Sequence, residues 1–175
     1  MTMNITELKR NLEDSSKDEL FNDIIDLFKK NKFVKDYYNA KYSNSDSVLN
    51  KYKKIIKDEY FPDKGEGKER ISIAKKAVTE LMKLSHDKNH IADIMIYYVE
   101  IGVEYTNCYG DINDAFYSSM ENMYHRAALF LDENDILDEF EDRCKKIVDD
   151  AEGIGWGFPD VLAQIYCEYF LEMQV

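Results

Sequence analysis

The stretch "IADIMIYYVEIGVEYTNCY", residues 91–109, decides the fold class. Its apolar residues Ile91, Ile94, Met95, Tyr98, Ile101, Gly102 and Tyr105 recur at spacings of three and four. That spacing draws one stripe along an α-helix, whereas a half-buried strand would alternate every second residue. The uncharged run inside it, "IMIYYV", is far too short to cross a bilayer.

The same period continues on both sides. Phe116, Met120, Met123, Tyr124, Ala127 and Leu131 mark the next helix, and Leu137, Phe140, Cys144, Ile147, Val148 and Ala151 another. Upstream, Ile71, Ala74, Ala77, Val78 and Leu81 mark one, and Val48, Leu49, Tyr52, Ile55 and Ile56 mark another, capped by Ser45 or Asp46. "SSKDELFNDIIDLFKK" opens with a capping box, Ser16 to Glu19, and carries its apolar face on Leu20, Phe21, Ile24, Leu27 and Phe28. "ITELKRNLED" and "KFVKDYYNAKY" read as shorter helices, and "PDVLAQIYCEYFLEMQ" closes the chain with Pro159 in a first helical turn. No alternating β-branched run occurs. The expectation is an all-α protein of about eight or nine antiparallel helices, a single helical bundle or a short α-hairpin array. One domain over residues 1–175 is expected, with a hinge near 61–67, where Pro62, Gly65 and Gly67 break the pattern.

Composition narrows the function. The chain has 175 residues with a net charge of −12. The charge is uneven: residues 1–90 balance to +3 and residues 91–175 to −15. Such an acidic half repels phosphate backbones, so nucleic-acid binding is not expected. The three cysteines, Cys108, Cys144 and Cys167, are far apart and form no CxxC pair. They suit neither a disulfide framework nor a zinc finger, and read as small buried residues in a reducing cytoplasm. The N-terminus lacks the apolar core of a signal peptide. A cytoplasmic protein without membrane association is expected.

Three constellations are candidates for chemistry. The first is "GIGWGFPD", residues 153–160, with Gly153, Gly155 and Gly157 around the single Trp156. A phosphate cradle needs converging N–H groups and commonly a Lys; here Asp160 occupies the next helix start and opposes an anion. A structural turn fits better: Gly153 ends one helix, and Trp156 and Phe158 plug the join to the next. A pocket wall formed by Trp156 is the remaining reading.

The second is a pair of polar stripes. Tyr97, Glu100, Glu104 and Asn107 share one helix face; Asp114, Ser118, Glu121, His125 and Asp132 share another. Convergence of Glu100, Glu104, Glu121 and His125 would make a metal site, although the Glu-x-x-His spacing of di-iron bundles is absent. The competing reading is a solvated acidic face. The third is His86 and His90 with Asp87, set to straddle a helix end. No Ser/His/Asp or Cys/His nucleophile set assembles from three histidines, so the inventory favours a role other than catalysis, and no cofactor is expected.

"DIMIYYVEIGVEYTNCYGDINDAFYSSMENMY", "FEDRCKKIVDDAEGIGWGF", the opening "KDELFNDIIDLFKKNKFVKDYYNAKY" and the central "YFP" together resemble an uncharacterised bacterial family of short helical proteins, a domain of unknown function. The resemblance covers most of the chain. It implies a soluble bacterial protein and a helical fold, and it implies no activity, substrate or site.

The expected function is therefore a helical protein-interaction module, an adaptor or scaffold whose acidic wall suits a basic protein or peptide. A small-molecule or metal-binding protein using the Glu/His stripes is the alternative, and an enzyme with an unrecognised helical active site the third. Self-association is expected, if anywhere, through the C-terminal helix, where Phe170 and the tyrosines would supply an apolar patch.

Overall fold

Helix-capping chemistry written in the sequence sets most of the element boundaries. A computed structural model describes residues 3–43 and 45–171. Among these residues the chain forms nine α-helices and no strand. The helices are α1 (Ile5–Glu13), α2 (Lys17–Lys30), α3 (Lys32–Tyr42), α4 (Ser45–Tyr60), α5 (Ile71–Leu84), α6 (Lys88–Tyr109), α7 (Asp114–Glu133), α8 (Leu137–Asp150) and α9 (Phe158–Tyr166); α9 runs on into a π-helical turn, Cys167–Leu171. The Ser16–Glu19 capping box forms as the sequence predicts. Asn4 and Glu7 make a second one at α1. Asp87 caps α6 through the Asn89 N–H, and Asn113 caps α7 through the Phe116 N–H. Helix α4 already includes Ser45 and Asp46, so the residue that would cap it lies outside the described residues.

The chain divides into two compact units, residues 1–44 and 45–175. In the first unit α2 packs on α3, joined at Asn31, whose side chain accepts from the Phe33 and Val34 N–H groups. The apolar residues of α1 and α2 gain little from this: neither helix buries any residue.

The second unit holds the core. Consecutive helices from α4 to α9 pack on one another, and α4 also meets α6, α6 meets α8 and α7 meets α9. The faces read from the sequence turn inward: Val48, Leu49, Tyr52 and Ile56 of α4, Ala74, Ala77, Val78 and Leu81 of α5, and all six marked residues of α7 are buried. Gly102 admits α7 closely to α6, since a Cβ there would run into the Met120 sulfur. Just beside it, the Tyr98 and Ser119 hydroxyls pair at 2.7 Å inside the core.

The hinge is expected at 61–67, where Pro62, Gly65 and Gly67 fall. The boundary falls at 44/45, and segment 61–70 is tied back onto α4. The Lys68 and Glu69 N–H groups donate to the Glu59 carbonyl at 2.8 and 3.0 Å. Arg70 grips the buried Glu59 carboxylate at two points, both 2.8 Å, and the Tyr105 hydroxyl donates to Glu69 at 2.7 Å. Gly67 lies so close to the Tyr60 carbonyl that no side chain fits there. Pro62 and the glycines thus shape a fitted strap: they end the helical pattern of α4, and residues 68–70 then bond back to its last turn.

Candidate functional site

Three connections of the second unit meet at one place. The segment after α4 touches the end of α6, with the Phe61 and Tyr109 rings 6.2 Å apart. The α6–α7 turn meets the α8–α9 turn, where the Gly155 N–H donates to Asp111 Oδ1 at 3.2 Å. A Cβ at Gly155 would stand 2.6 Å from Asp111 Oδ2 and would push this exposed carboxylate aside. The Tyr117 hydroxyl donates to the same carboxylate at 3.1 Å, so Asp111 is held while remaining exposed.

Aromatic rings run through this junction in an unbroken series. Trp156 lies 6.4 Å from Tyr117, Tyr117 lies 5.6 Å from Phe116, Phe116 lies 6.4 Å from Tyr105, and Tyr105 lies 4.7 Å from Tyr109. The middle of the series is buried and its two ends are in solvent, Trp156 at 64% and Tyr109 at 66% exposure.

Trp156 corrects the sequence reading. The plug of the α8–α9 join is Phe158, 1% exposed and 5.0 Å from Tyr117. Gly153 takes the positive φ of a residue that ends a helix, as expected, but Gly157 and Trp156 take one too, the latter +66°. A non-glycine residue there costs about 1–2 kcal/mol. That backbone turn swings the indole outward while its neighbour Phe158 faces in.

The metal reading fails on geometry. Glu100 is clamped by Arg143 of α8, with two hydrogen bonds of 2.8 Å, and Arg143 also holds Asp93 at 2.6 Å. Asp93 in turn pairs with Lys53 of α4 at 2.6 Å. Burial opposes the Arg143 charge, but Glu100 and Asp93 outweigh it and hold the guanidinium pKa above its usual value. Glu104 lines the same α6–α8 cleft, about 310 Å³, beside Lys146 and Asp150, which pair with each other. His125 instead meets the Tyr169 hydroxyl at 3.1 Å. Burial, with Asp114 nearby, raises the Glu121 carboxyl pKa. Among the described residues no group of three or more His, Cys, Asp or Glu stands ready to hold a metal ion. Periodicity could not have found Arg143: it is 43 residues from Glu100, on another helix.

The other candidates settle into structural roles. His90 faces Asp46 of α4 at 2.9 Å, and Asp87 is taken up in capping. Of the three cysteines expected to be buried only Cys144 is, and burial pushes its thiol up to about 12; Cys108 and Cys167 are exposed. Native protein should therefore be alkylated at Cys108 and Cys167 within minutes of iodoacetamide treatment at pH 8, with Cys144 following only on unfolding. Peptide mass mapping checks this, and rapid native labelling of Cys144 would contradict it.

Comparison with known proteins gives a family. Residues 3–169 match DUF6155, described as a family of unknown function. The chain belongs to DUF6155. No curated protein and no solved structure matches it. Among the described residues of this DUF6155 chain, no helix is long and apolar enough to cross a membrane.

Proposed function

We propose that the protein is a helical interaction module that recognises a basic segment of another protein at the Trp156 junction. The observation that carries this reading is Trp156 itself, exposed at positive φ and directly following Gly155, whose N–H binds the Asp111 carboxylate. An exposed indole next to a fixed carboxylate suits one chemistry above others, a Lys or Arg side chain. The cation lies over the ring and donates to the carboxylate. The environment agrees: residues 1–44 contain eight Lys/Arg and eight Asp/Glu, so the whole net charge of −12 falls on the second unit. Such a field favours encounter with basic partners. Backbone strain is retained where surrounding structure demands it, commonly at binding sites.

The single Trp makes the test direct. Titration with an Arg/Lys-rich peptide at 150 mM salt should change Trp156 emission saturably, and a Glu-rich peptide of equal length should not. By calorimetry, Trp156→Ala and Asp111→Asn should each weaken binding at least tenfold, while Trp156→Phe keeps most of it. Equal binding by wild type and Trp156→Ala would reduce the effect to diffuse charge attraction and sink the proposal.

A further inference from the structure

We propose that the first unit is a self-association arm, in which the groove between α1 and α2 of one chain receives the same helices of a second copy. Both helices are amphipathic, and their apolar sides are left in solvent. Ile5 is 75% exposed, Leu27 is 53% exposed, and Leu8, Leu12 and Ile24 are each more than a third exposed. Leu8 and Leu12 of α1 and Leu20, Ile24 and Leu27 of α2 line an open groove of about 490 Å³. Together these side chains amount to roughly several hundred Å² of apolar surface, the size that marks a docking face on a soluble protein.

Length and charge identify the occupant. A unit of 44 residues is at the lower limit for burying a core of its own, and chains of that size commonly rely on oligomerisation. None of its described hydrophobic residues is buried; Asp36 is the one buried residue of α3. The arm is electrically balanced, with eight cationic and eight anionic side chains. It selects neither a basic nor an acidic partner, but it suits its own copy. Contact between copies through the second unit would set −12 against −12, whereas contact through the arms meets no net repulsion. Two helices flanking a groove can also pair about a two-fold axis, each copy filling the other's groove, which closes the assembly as a dimer. The rim carries Asp23, Asp26 and Lys30; Asp26 and Lys30 already pair at 2.6 Å, which leaves one exposed carboxylate, Asp23, at the groove edge.

This inference is independent of the peptide site, and the two experiments read different quantities. Sedimentation equilibrium on the full chain from 1 to 100 μM should show a monomer–dimer equilibrium that persists in 1 M NaCl, because apolar burial is not screened. Leu8→Asp and Ile24→Asp should each raise the dimer dissociation constant at least 100-fold without lowering the melting midpoint of the second unit. Leu171→Asp, on the exposed side of the C-terminal turn, should leave the dimer intact. Hydrogen exchange on the unaltered chain supplies a readout free of substitutions, with α1 and α2 amides better protected at 100 than at 2 μM. A monomer at every concentration overturns the proposal. So does a dimer that Leu171→Asp dissociates, or concentration-dependent protection confined to α9.

Discussion

Phe158→Ala is expected to destabilise the second unit by about 3–5 kcal/mol, the cost of emptying a large aromatic site in a packed core. Phe158 is 1% exposed, sets its ring at a tilt 5.0 Å from Tyr117 and forms the first residue of α9. Its removal unpins α9 from α7 as well as leaving a cavity. At roughly 2–4 °C per kcal/mol, the melting midpoint should fall by about 10 °C. Trp156→Ala, two positions earlier, should move stability by only about 1 kcal/mol or less. Trp156→Gly should be neutral or stabilising, because glycine adopts a φ of +66° without strain. Thermal melts followed by circular dichroism decide it. The reverse order, Trp156→Ala severe and Phe158→Ala mild, would refute this account of the turn.

Gly102→Val should cost about 3 kcal/mol. The new side chain meets Met120, which is fully buried, so the thioether must shift within the packed core. A β-branched residue also adds a small helix penalty. Met120→Ala alone should cost about 2–5 kcal/mol through the cavity it leaves. The two changes together should cost distinctly less than their sum, since the valine occupies space the methionine vacates. Strict additivity in denaturant melts would show that α6 and α7 are not in contact at this point.

Local pattern carried the helices well. Met120, Met123, Tyr124, Ala127 and Leu131 are all buried where a spacing of three and four puts them, because helix period and core contact are the same constraint in the second unit. The first unit departs from that equivalence. Phe21, Ile24 and Leu27 form the expected stripe, yet all three stay exposed. A stripe says that a surface is apolar; it does not say what covers it. The C-terminal helix shows the converse. Phe170, expected in solvent, is buried along with Leu162, Ile165 and Tyr166. The π-helical turn at Cys167–Leu171 shifts the period, so a face drawn on ordinary helix spacing places Phe170 wrongly.

The candidate site was less legible, for two separate reasons. Trp156 is chemically conspicuous, but its direction depends on one backbone angle, and nothing in "GIGWGFPD" announces a positive φ at the tryptophan rather than only at the glycines. Asp111 and Arg143 take partners 44 and 43 residues away. Such pairings belong to helix packing, to which periodicity within one helix is blind. Glu100 and Glu104 were correctly placed on one face of α6, but the partner across from Glu100 is a guanidinium instead of a second carboxylate.

The succession of contacts in the second unit also bears on how fast it forms. Each helix from α4 onward packs against the next one in sequence, and the connections at 85–87, 110–113 and 134–136 are short. The entropy lost in closing such loops is small, and helical domains dominated by near-neighbour contacts fold in microseconds to milliseconds. The α6–α7 pair, joined by Gly102 against Met120 and by the Tyr98–Ser119 hydroxyls, is expected to form first. After dilution from denaturant, the backbone signal should recover within the first milliseconds. A later phase that quickens as protein concentration rises would then time the meeting of two chains, not the folding of one.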